Sequence, residues 1–213
     1  MLFDHLISIL SAVDKHDLPG EEAQYLLSPL GRVGKAEAMK SAANVRQSAV
    51  LLNFHPIQGE AFLSLIKRNE YPGVHSGQLS FPGGKMENDD RDLMHTALRE
   101  TEEELGVDPS AFSVIGELTE LFIPPSSFLV QPFLSYSKDR PDFNPDSREV
   151  QEHLEIPMDI FLEEENIVDT VVTSSFRNMR IKTKAIKYNE HIIWGATAMM
   201  ISELRVILNQ NEA

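Results

Sequence analysis

The sequence contains no cysteine, which excludes disulfide bonds and thiolate metal sites. It also lacks any apolar run of the roughly 20 residues that a membrane-spanning helix needs, so no membrane partner is expected. A secretory signal begins with a basic region followed by an apolar stretch, and the residues after Met1 do not show this pattern. These features are compatible with a reducing compartment, and we expect a cytoplasmic protein.

Positive charge is scarce. The 213 residues include 33 Asp and Glu but only 19 Lys and Arg, which gives a net charge of −14. Proteins that bind nucleic acids usually present a basic patch. Since none is visible, no nucleic acid is expected as a partner. An anionic ligand would need local Arg, Lys or metal ions to overcome the repulsive overall field.

The apolar pattern divides the chain into an extension and one core domain. Residues 1–45 combine a helical apolar period with Pro-Gly and Ala-rich stretches, and are predicted to form an N-terminal helical extension packed on the core. Residues 46–213 are predicted to form the domain, with helices at 157–164 and from 195 onward, a loop at 138–147, and strands at 48–54, 61–67, 112–118, 128–136, 167–172, 179–188 and 191–194. Strands framed by helices predict an α/β sandwich.

The most informative stretch is residues 99–107, which follows the Gly83-Gly84 turn at a short distance. It places Glu100, Glu103 and Glu104 at positions i, i+3 and i+4, which are neighbours on one face of a helix. Like charges this close repel one another, and a divalent cation would reverse that effect. Mg²⁺ takes oxygen ligands and often bridges carboxylates to substrate phosphates.

The alternative is a solvated acidic helix face, which is common for charged runs. The run lies between a Gly-Gly turn and Gly106, with Arg99 at its head, and this context favours a metal site for phosphate chemistry. We predict a helix from Asp89 to Leu105 that is capped by Asp89 or Asp90. Residues on one arc of that helix are apolar, namely Leu93, Met94, Ala97, Leu98, Thr101 and Leu105.

The acidic residues border this apolar arc. Glu104 overlaps its edge, whereas Glu102 falls on another face and is predicted to be solvated. Arg99 lies four residues before Glu103 and is predicted to pair with it.

These residues resemble a Nudix box, whose pattern is G-x5-E-x7-R-E-U-x-E-E-x-G-U, with U an apolar residue. The matching residues are Gly84, Arg99, Glu100, Glu103, Glu104, Gly106 and Val107. Asp90 stands where the pattern has its first Glu, one extra residue separates it from Arg99, and Thr101 occupies an apolar slot.

An extra residue at this place is a feature of one Nudix subgroup, the coenzyme A pyrophosphatases. The subgroup's pattern ahead of the box is Leu-Leu-Thr-x-Arg, then Arg-x3-Gly-x3-Phe-Pro-Gly-Gly. Leu65 and Arg68 fit its first part, and Gly77 with residues 81–84 fits its second. Gly73 stands where the second Arg is expected, which is a departure. The resemblance extends over roughly residues 45–205.

The resemblance implies the Nudix-type α/β/α sandwich with a mixed β-sheet. It also implies metal-dependent hydrolysis of a pyrophosphate bond, with Mg²⁺ or Mn²⁺ as cofactor on Glu100, Glu103 and Glu104. The backbone carbonyl of Gly84, or of Gly83, would be a further ligand. The implied substrate is coenzyme A or acyl-coenzyme A, which would yield adenosine 3′,5′-bisphosphate and (acyl-)4′-phosphopantetheine.

Two alternatives stay open. The same chemistry could act on another nucleotide conjugate (ADP-ribose, NADH, a dinucleotide or a nucleoside triphosphate), and Gly73 favours this alternative. The chain could instead be a non-catalytic nucleotide-binding regulator on the same scaffold. Retention of the acidic triplet argues against a regulator. In each case the expected partner is a small-molecule nucleotide. A homodimer is one option, since two-fold dimers are the commonest soluble oligomers.

Further site residues are candidates. Arg68 and Gln78 are substrate contacts or else ordinary strand and turn residues, and Phe81 and Gly83 complete the substrate-binding set. The Gly-Gly turn can adopt unusual backbone angles close to a substrate.

The predicted catalytic residues are Arg99, Glu103 and Glu149. Glu149 is a candidate general base in a later loop, with Glu152 as its alternative. His75 could also act as a base, because imidazole titrates near neutral pH. A lone loop histidine is more often structural or solvated.

Overall fold

The computed structural model describes residues 1–42, 44–69, 77–174 and 179–211. Gly73 and His75 lie outside these described residues. The helices are α1 (Phe3–Ser11), α2 (Gly20–Tyr25), α3 (Lys35–Lys40), α4 (Leu93–Leu105), α5 (Met158–Leu162) and α6 (Gly195–Asn211). The strands are β1 (Arg46–Ile57), β2 (Glu60–Arg68), β3 (Leu79–Ser80), β4 (Gly83–Lys85), β5 (Ser113–Glu117), β6 (Leu121–Ile123), β7 (Phe128–Tyr136), β8 (Val150–Pro157), β9 (Ile167–Ser174), β10 (Met179–Tyr188) and β11 (His191–Ile193).

The main sheet is mixed, as predicted. Strand β1 lies at its centre and pairs parallel with β7, from Arg46↔Phe128 to Phe54↔Tyr136. On its other edge β1 pairs antiparallel with β2, and β2 pairs on its far side with β8. Strands β5 and β6 both pair antiparallel with β7.

Strands β1 and β2 separate towards one end of the sheet. They pair only from Phe54↔Leu63 to Ile57↔Glu60. Beyond that point the gap is filled by β3, which pairs with β2, and by β4, which pairs with β1. A Cβ atom at Gly83 would lie 2.3 Å from the Ala49 carbonyl oxygen, and Gly83 has φ +149°. Only glycine fits this close approach without strain.

Helices cover both faces of the sheet. Side chains of successive β1 residues point to opposite faces of the sheet. Ala49 and Leu51 pack with Ala97 and Leu105 of α4. On the other face, Leu52 and Phe54 belong to the core cluster that includes residues of α1 and α6. The expected α/β/α sandwich is therefore confirmed.

Helix α6 is buried on nearly all sides, because the N-terminal segment covers the side that faces away from the sheet. Glu203 of α6 is fully buried and accepts hydrogen bonds from Gly20 N–H at 3.2 Å and Gln24 Nε2 at 2.9 Å. Thr119 N–H donates to the same carboxylate at 3.3 Å. Segment 1–42 thus packs on the core, and its division from the domain at residue 45 stays a prediction.

A second sheet is antiparallel, in the order β11-β10-β9, and its Ile186 and Ile193 join the core cluster of α6. Within the described residues, no helix is long and apolar enough to cross a membrane.

Two predicted boundaries were wrong. Helix α4 begins at Leu93 rather than Asp89, because the Asp92 side chain caps it by accepting the His95 N–H at 2.7 Å. Glu152 lies within strand β8 rather than in a loop. The polar residues of β8 concealed that strand, because most of its side chains are only partly buried.

Candidate active site

The site is built where α4 packs against the Gly83-Gly84 turn. Glu104 is 1% exposed, which is uncommon for a carboxylate. Its Oε2 accepts the Gly83 N–H at 2.8 Å, and its Oε1 lies 3.3 Å from Arg68 Nη1. The predicted position of Glu104 at the border of the apolar arc is confirmed.

Burial raises the pKa of Glu104 to about 8; Arg68 and the Gly83 N–H oppose this shift, while Glu100 and Glu149 add to it. Burial likewise raises the pKa of Glu100, against the effect of Arg99, and Glu103 and Glu149 raise it further. Glu100, Glu104 and Glu149 therefore repel one another, and their negative charge is only partly compensated. A bound cation would offset this repulsion.

Glu100 lies directly against the turn. A Cβ atom at Gly84 would be 2.3 Å from the Glu100 carboxyl carbon, so glycine leaves the space that this carboxylate occupies. The predicted metal ligands Glu100, Glu104 and Gly84 are thus brought together by packing of α4 against β4.

Arg99 organises the outer side of the site. Its Nε and Nη2 contact the two oxygens of Asp90 at 2.9 and 3.0 Å. Its Nη1 is 3.1 Å from Glu103, which confirms the predicted i,i+4 pair, and its Nη2 is 3.0 Å from Glu100. The Asp90 carboxylate holds the pKa of Arg99 well above its usual range, and hydrogen bonding to Arg99 lowers the pKa of Asp90.

The residues fit a hard divalent cation by donor chemistry, since they offer carboxylate and carbonyl oxygens. Glu103 does not join Glu100 and Glu104, because its side chain is 54% exposed and turned towards Arg99. Within the described residues, no three His, Cys, Asp or Glu side chains are grouped closely enough to hold a metal ion.

Glu149 lies at the rim, immediately before β8. It is exposed, and its charge acts on both Glu100 and Glu104. Glu152 has a different neighbour, His191, whose Nε2 is 3.6 Å from the Glu152 Oε1. The structure therefore favours Glu149 over Glu152 as the carboxylate associated with this site.

A pocket of about 380 Å³ opens beside the carboxylates, and Arg68 is both part of its wall and the partner of Glu104. The predicted substrate-binding residues Arg68, Gln78, Phe81 and Gly83 all line it. Residues that sequence reasoning missed line the rest of the wall, namely Arg46, Ser48, Ala49, Val50, Leu79, Ser80, Lys85, Ile123, Ser126, Phe128, Val130, Ala196, Thr197 and Met200. Trp194 is half-buried and lines the pocket as well.

Most of the missed residues lie on β1, β7 and α6, far apart in the sequence. No local motif marks them. Their role in the pocket follows from the sheet register and the packing of α6.

Comparison with known proteins identifies the family. The model of the NUDIX domain matches residues 45–169. "Nudix hydrolase 15, mitochondrial" of Arabidopsis thaliana is 34% identical over 162 residues, which are 72% of this chain and 55% of that protein. "Uncharacterized Nudix hydrolase NudL" of Yersinia enterocolitica is 34% identical over 170 residues, which are 79% of this chain and 84% of that protein.

The name of a third relative states a substrate. "Mitochondrial coenzyme A diphosphatase NUDT8" of Homo sapiens is 31% identical over 160 residues, which are 74% of this chain and 67% of that protein. The chain spans only about half the length of the Arabidopsis relatives, 55% and 56%. The family match covers more than half of the chain and includes the acidic helix with its Gly-Gly turn, and the chain therefore belongs to the Nudix hydrolases.

Proposed function

We propose that this protein hydrolyses the pyrophosphate bond of coenzyme A or acyl-coenzyme A, with Mg²⁺ or Mn²⁺ as cofactor. The products would be adenosine 3′,5′-bisphosphate and (acyl-)4′-phosphopantetheine. The observation that carries the proposal is the contact of Glu100 and Glu104 with the Gly83-Gly84 turn. This turn lies beside a pocket whose wall includes Arg68, the ion-pair partner of Glu104.

The metal would be held by Glu100, Glu104 and the Gly84 carbonyl, with Glu103 as a further ligand once it leaves Arg99. When bound, it supplies charge neutralisation on the phosphate oxygens and lowers the pKa of a coordinated water. Arg68 binds a non-bridging phosphate oxygen of the substrate. Arg99 orients Glu100 and Glu103 through its contacts to both.

Glu149 accepts the proton of the attacking water. Its place at the rim, with its charge acting on Glu100 and Glu104, supports this role. A carboxylate general base must come within hydrogen-bond reach of the water in the substrate complex. Glu103 is the second candidate for this role, because its exposed carboxylate lies one helical turn from Glu100.

Three observations support the coenzyme A type of substrate. Human NUDT8, whose name states a coenzyme A diphosphatase, is 31% identical. The pocket of about 380 Å³ combines arginines with an apolar wall, which suits a long conjugate with charged and uncharged parts. The residues 77–84 match the pattern of the subgroup.

The alternative is another nucleotide conjugate, such as ADP-ribose or NADH, and Gly73 favours it because an Arg there could hold a phosphate by a bidentate contact. The cytoplasmic location and the homodimer stay predictions, and the names of the Arabidopsis and human relatives place those proteins in mitochondria or chloroplasts.

The test is product analysis after incubation with Mg²⁺ and coenzyme A, acetyl-coenzyme A, NADH, ADP-ribose, a diadenosine polyphosphate or nucleoside triphosphates. Glu104→Gln should abolish turnover, because an amide cannot ionise to the carboxylate that a bound cation requires. Glu102→Gln is the matched control, since Glu102 is exposed on another face of α4 and should tolerate the change.

Release of the two named products from coenzyme A, lost only in Glu104→Gln, supports the proposal. Faster cleavage of another substrate in the panel would refute the coenzyme A assignment but not the proposed hydrolysis of a pyrophosphate bond. Full activity of Glu104→Gln would refute the assigned site.

A further inference from the structure

The wall of the pocket carries an arginine that the proposed chemistry does not use. Arg46 is the first residue of β1, and its side chain is exposed at the mouth of the pocket. Its Nη2 donates to the Ser126 carbonyl at 2.5 Å, and its guanidinium lies 4.1 Å from the centroid of the Phe128 ring. Ser126 and Phe128 line the same pocket, so they hold the cation at the mouth.

The strand register fixes the direction in which Arg46 points. Residues two apart on a strand share a face, and Arg46 is followed on its face by Ser48 and Val50, which both line the pocket. Ala49 pairs with Gly84, the glycine in contact with Glu100. Arg46 is three residues from that pair, or about 10 Å along the strand.

The charges of the pocket are distributed unevenly. None of its lining residues in the described part of the chain is an aspartate or glutamate, although the chain carries 33 of them. Three lining residues are cationic: Arg46, Arg68 and Lys85. Arg68 is paired with Glu104, whereas Arg46 has no carboxylate within 4.0 Å among the described residues. Arg46 is therefore available to an anion from outside the chain.

We propose that Arg46 binds a phosphomonoester that the substrate carries in addition to its diphosphate, and that it thereby selects substrates with such a group. This inference rests on the proposed function. The diphosphate lies at the Glu100 and Glu104 end, and one sugar ring separates it from a phosphate on the ribose. Guanidinium groups bind phosphate through two parallel hydrogen bonds, and Arg46 keeps Nε and Nη1 free of the Ser126 contact.

A purely structural role predicts something different. If Arg46 only stabilised the turn through the Ser126 carbonyl and the Phe128 ring, its replacement would lower kcat/KM for all substrates alike. A role in phosphate recognition predicts a loss confined to substrates with the second phosphate, seen in KM rather than kcat.

The first experiment compares coenzyme A with 3′-dephospho-coenzyme A, which differ by one phosphomonoester. The wild-type protein should show a kcat/KM about tenfold or more higher for coenzyme A, as expected for one charged hydrogen-bonded contact. Arg46→Met should reduce this preference to about twofold or less through a higher KM for coenzyme A. Arg46→Lys should retain part of the preference, because it keeps the charge without the planar fork.

The matched control is Gln47→Met, on the opposite face of the same strand, which should keep the wild-type preference. Denaturant midpoints of all variants show whether each one is folded. If Arg46→Met does not fold, the preference of Arg46→Lys is compared with that of wild type instead. No preference in the wild-type protein, or a preference that survives in Arg46→Met, would overturn the proposal and leave the proposed function standing.

A second experiment does not depend on turnover. Trp194 is the one tryptophan of the chain and lines the pocket, so its fluorescence reports binding there. In the presence of EDTA, adenosine 3′,5′-bisphosphate should bind about tenfold or more tightly than adenosine 5′-monophosphate to wild type, and about equally to Arg46→Met.

If coenzyme A is not cleaved but this difference in binding is found, the proposed substrate fails and the role of Arg46 stands. If the two ligands bind the wild-type protein equally, the role of Arg46 is refuted whatever the substrate.

Discussion

Asp90 and Arg99, nine residues apart in the chain, form a two-point ion pair at 2.9 and 3.0 Å in which Asp90 is only 7% exposed. Asp90 also accepts hydrogen bonds from Thr96 Oγ1 and from the Glu87 N–H, each at 2.9 Å. The residue that departs from the Nudix box pattern therefore fixes Arg99, and Arg99 in turn contacts Glu100 and Glu103. The turn before α4 and the acidic face of α4 form one hydrogen-bonded unit.

Asp90→Asn should destabilise the protein, because it leaves the Arg99 guanidinium without its buried counter-charge. Because the Arg99 side chain is 20% exposed and keeps Glu100 and Glu103 as partners, we expect a loss of about 1–3 kcal/mol of unfolding free energy. Urea denaturation measures the change. Asp89→Asn, at an exposed position in the same turn, is the control and should stay within about 0.5 kcal/mol of wild type. Equal stability of the two variants would show that the pair is dispensable.

Gly84→Ala should weaken Mn²⁺ binding, since the added Cβ would lie 2.3 Å from the carboxyl carbon of Glu100 and displace that carboxylate. We expect a loss of about tenfold or more, in the range found when the position of a metal ligand is disturbed. Electron paramagnetic resonance of Mn²⁺ measures the binding without turnover. Gly116→Ala is the control, because its Cβ would meet only Leu134 Cδ1, at an ordinary 3.9 Å. Unchanged Mn²⁺ affinity in Gly84→Ala would argue against Glu100 as a ligand.

Glu203→Leu should detach the N-terminal segment from α6. The substitution leaves the Gly20 N–H, the Gln24 amide and the Thr119 N–H without their common acceptor. Each buried donor without a partner costs about 1–3 kcal/mol. We therefore expect a lower urea midpoint and faster proteolysis within residues 12–20. Gln210→Leu, at an exposed position of α6, should leave both measurements at their wild-type values.

Acid should remove the stability contributed by a histidine cluster on β1 and β8. His153 hydrogen-bonds to Ser64 Oγ at 3.2 Å and packs on the Phe143 ring at 4.2 Å between centroids. Burial lowers the pKa of His153 to about 4; Glu155 opposes this shift, and His55 and Arg140 add to it.

Unfolded His153 gains a proton near pH 6.5, whereas the folded form stays neutral down to about pH 4. At His153 the unfolded state therefore binds more protons in this window, so the contribution of this histidine to stability falls by roughly 1–3 kcal/mol as pH drops through it. The raised pKa of Glu104 acts in the opposite direction in the same window. Urea midpoints between pH 7.5 and 4.5 measure the slope. On acidification, His153→Leu should lose less stability than wild type by about that amount, whereas His16→Gln, at an exposed site, should follow wild type. Parallel slopes for wild type and His153→Leu would contradict this assignment.

Local patterns predicted the parts of the site that lie within one helix and one turn. The spacing of Glu100, Glu103 and Glu104 and the stop at Gly106 follow from helical geometry, and the structure places Glu104 at the buried edge as that geometry requires. The gathering of Glu100 with Gly84 was anticipated by the family pattern.

Contacts between distant segments could not be predicted in this way. Glu149 and Arg46 reach the site because of the register of β8 on β2 and of β1 on β7, which no local sequence signal encodes. Strand β8 itself was missed because its polar residues pair with other charged groups, as Glu155 does with Arg140 at 2.6 Å. The capping of α4 by Asp92 was missed because Asp90 offered the same side chain two residues earlier.

The parallel pairing of β1 with β7 delays assembly of the sheet during synthesis. Ser48 and Leu129, which meet across this pair, are 81 positions apart in the chain. A ribosome needs roughly 4–16 s to add that many residues, so the nascent strand β1 spends this time with its β7 edge unpaired. Its apolar residues 49–52 are then open to association with other chains, and the yield of folded protein should depend on translation rate and on chaperones that cover this strand.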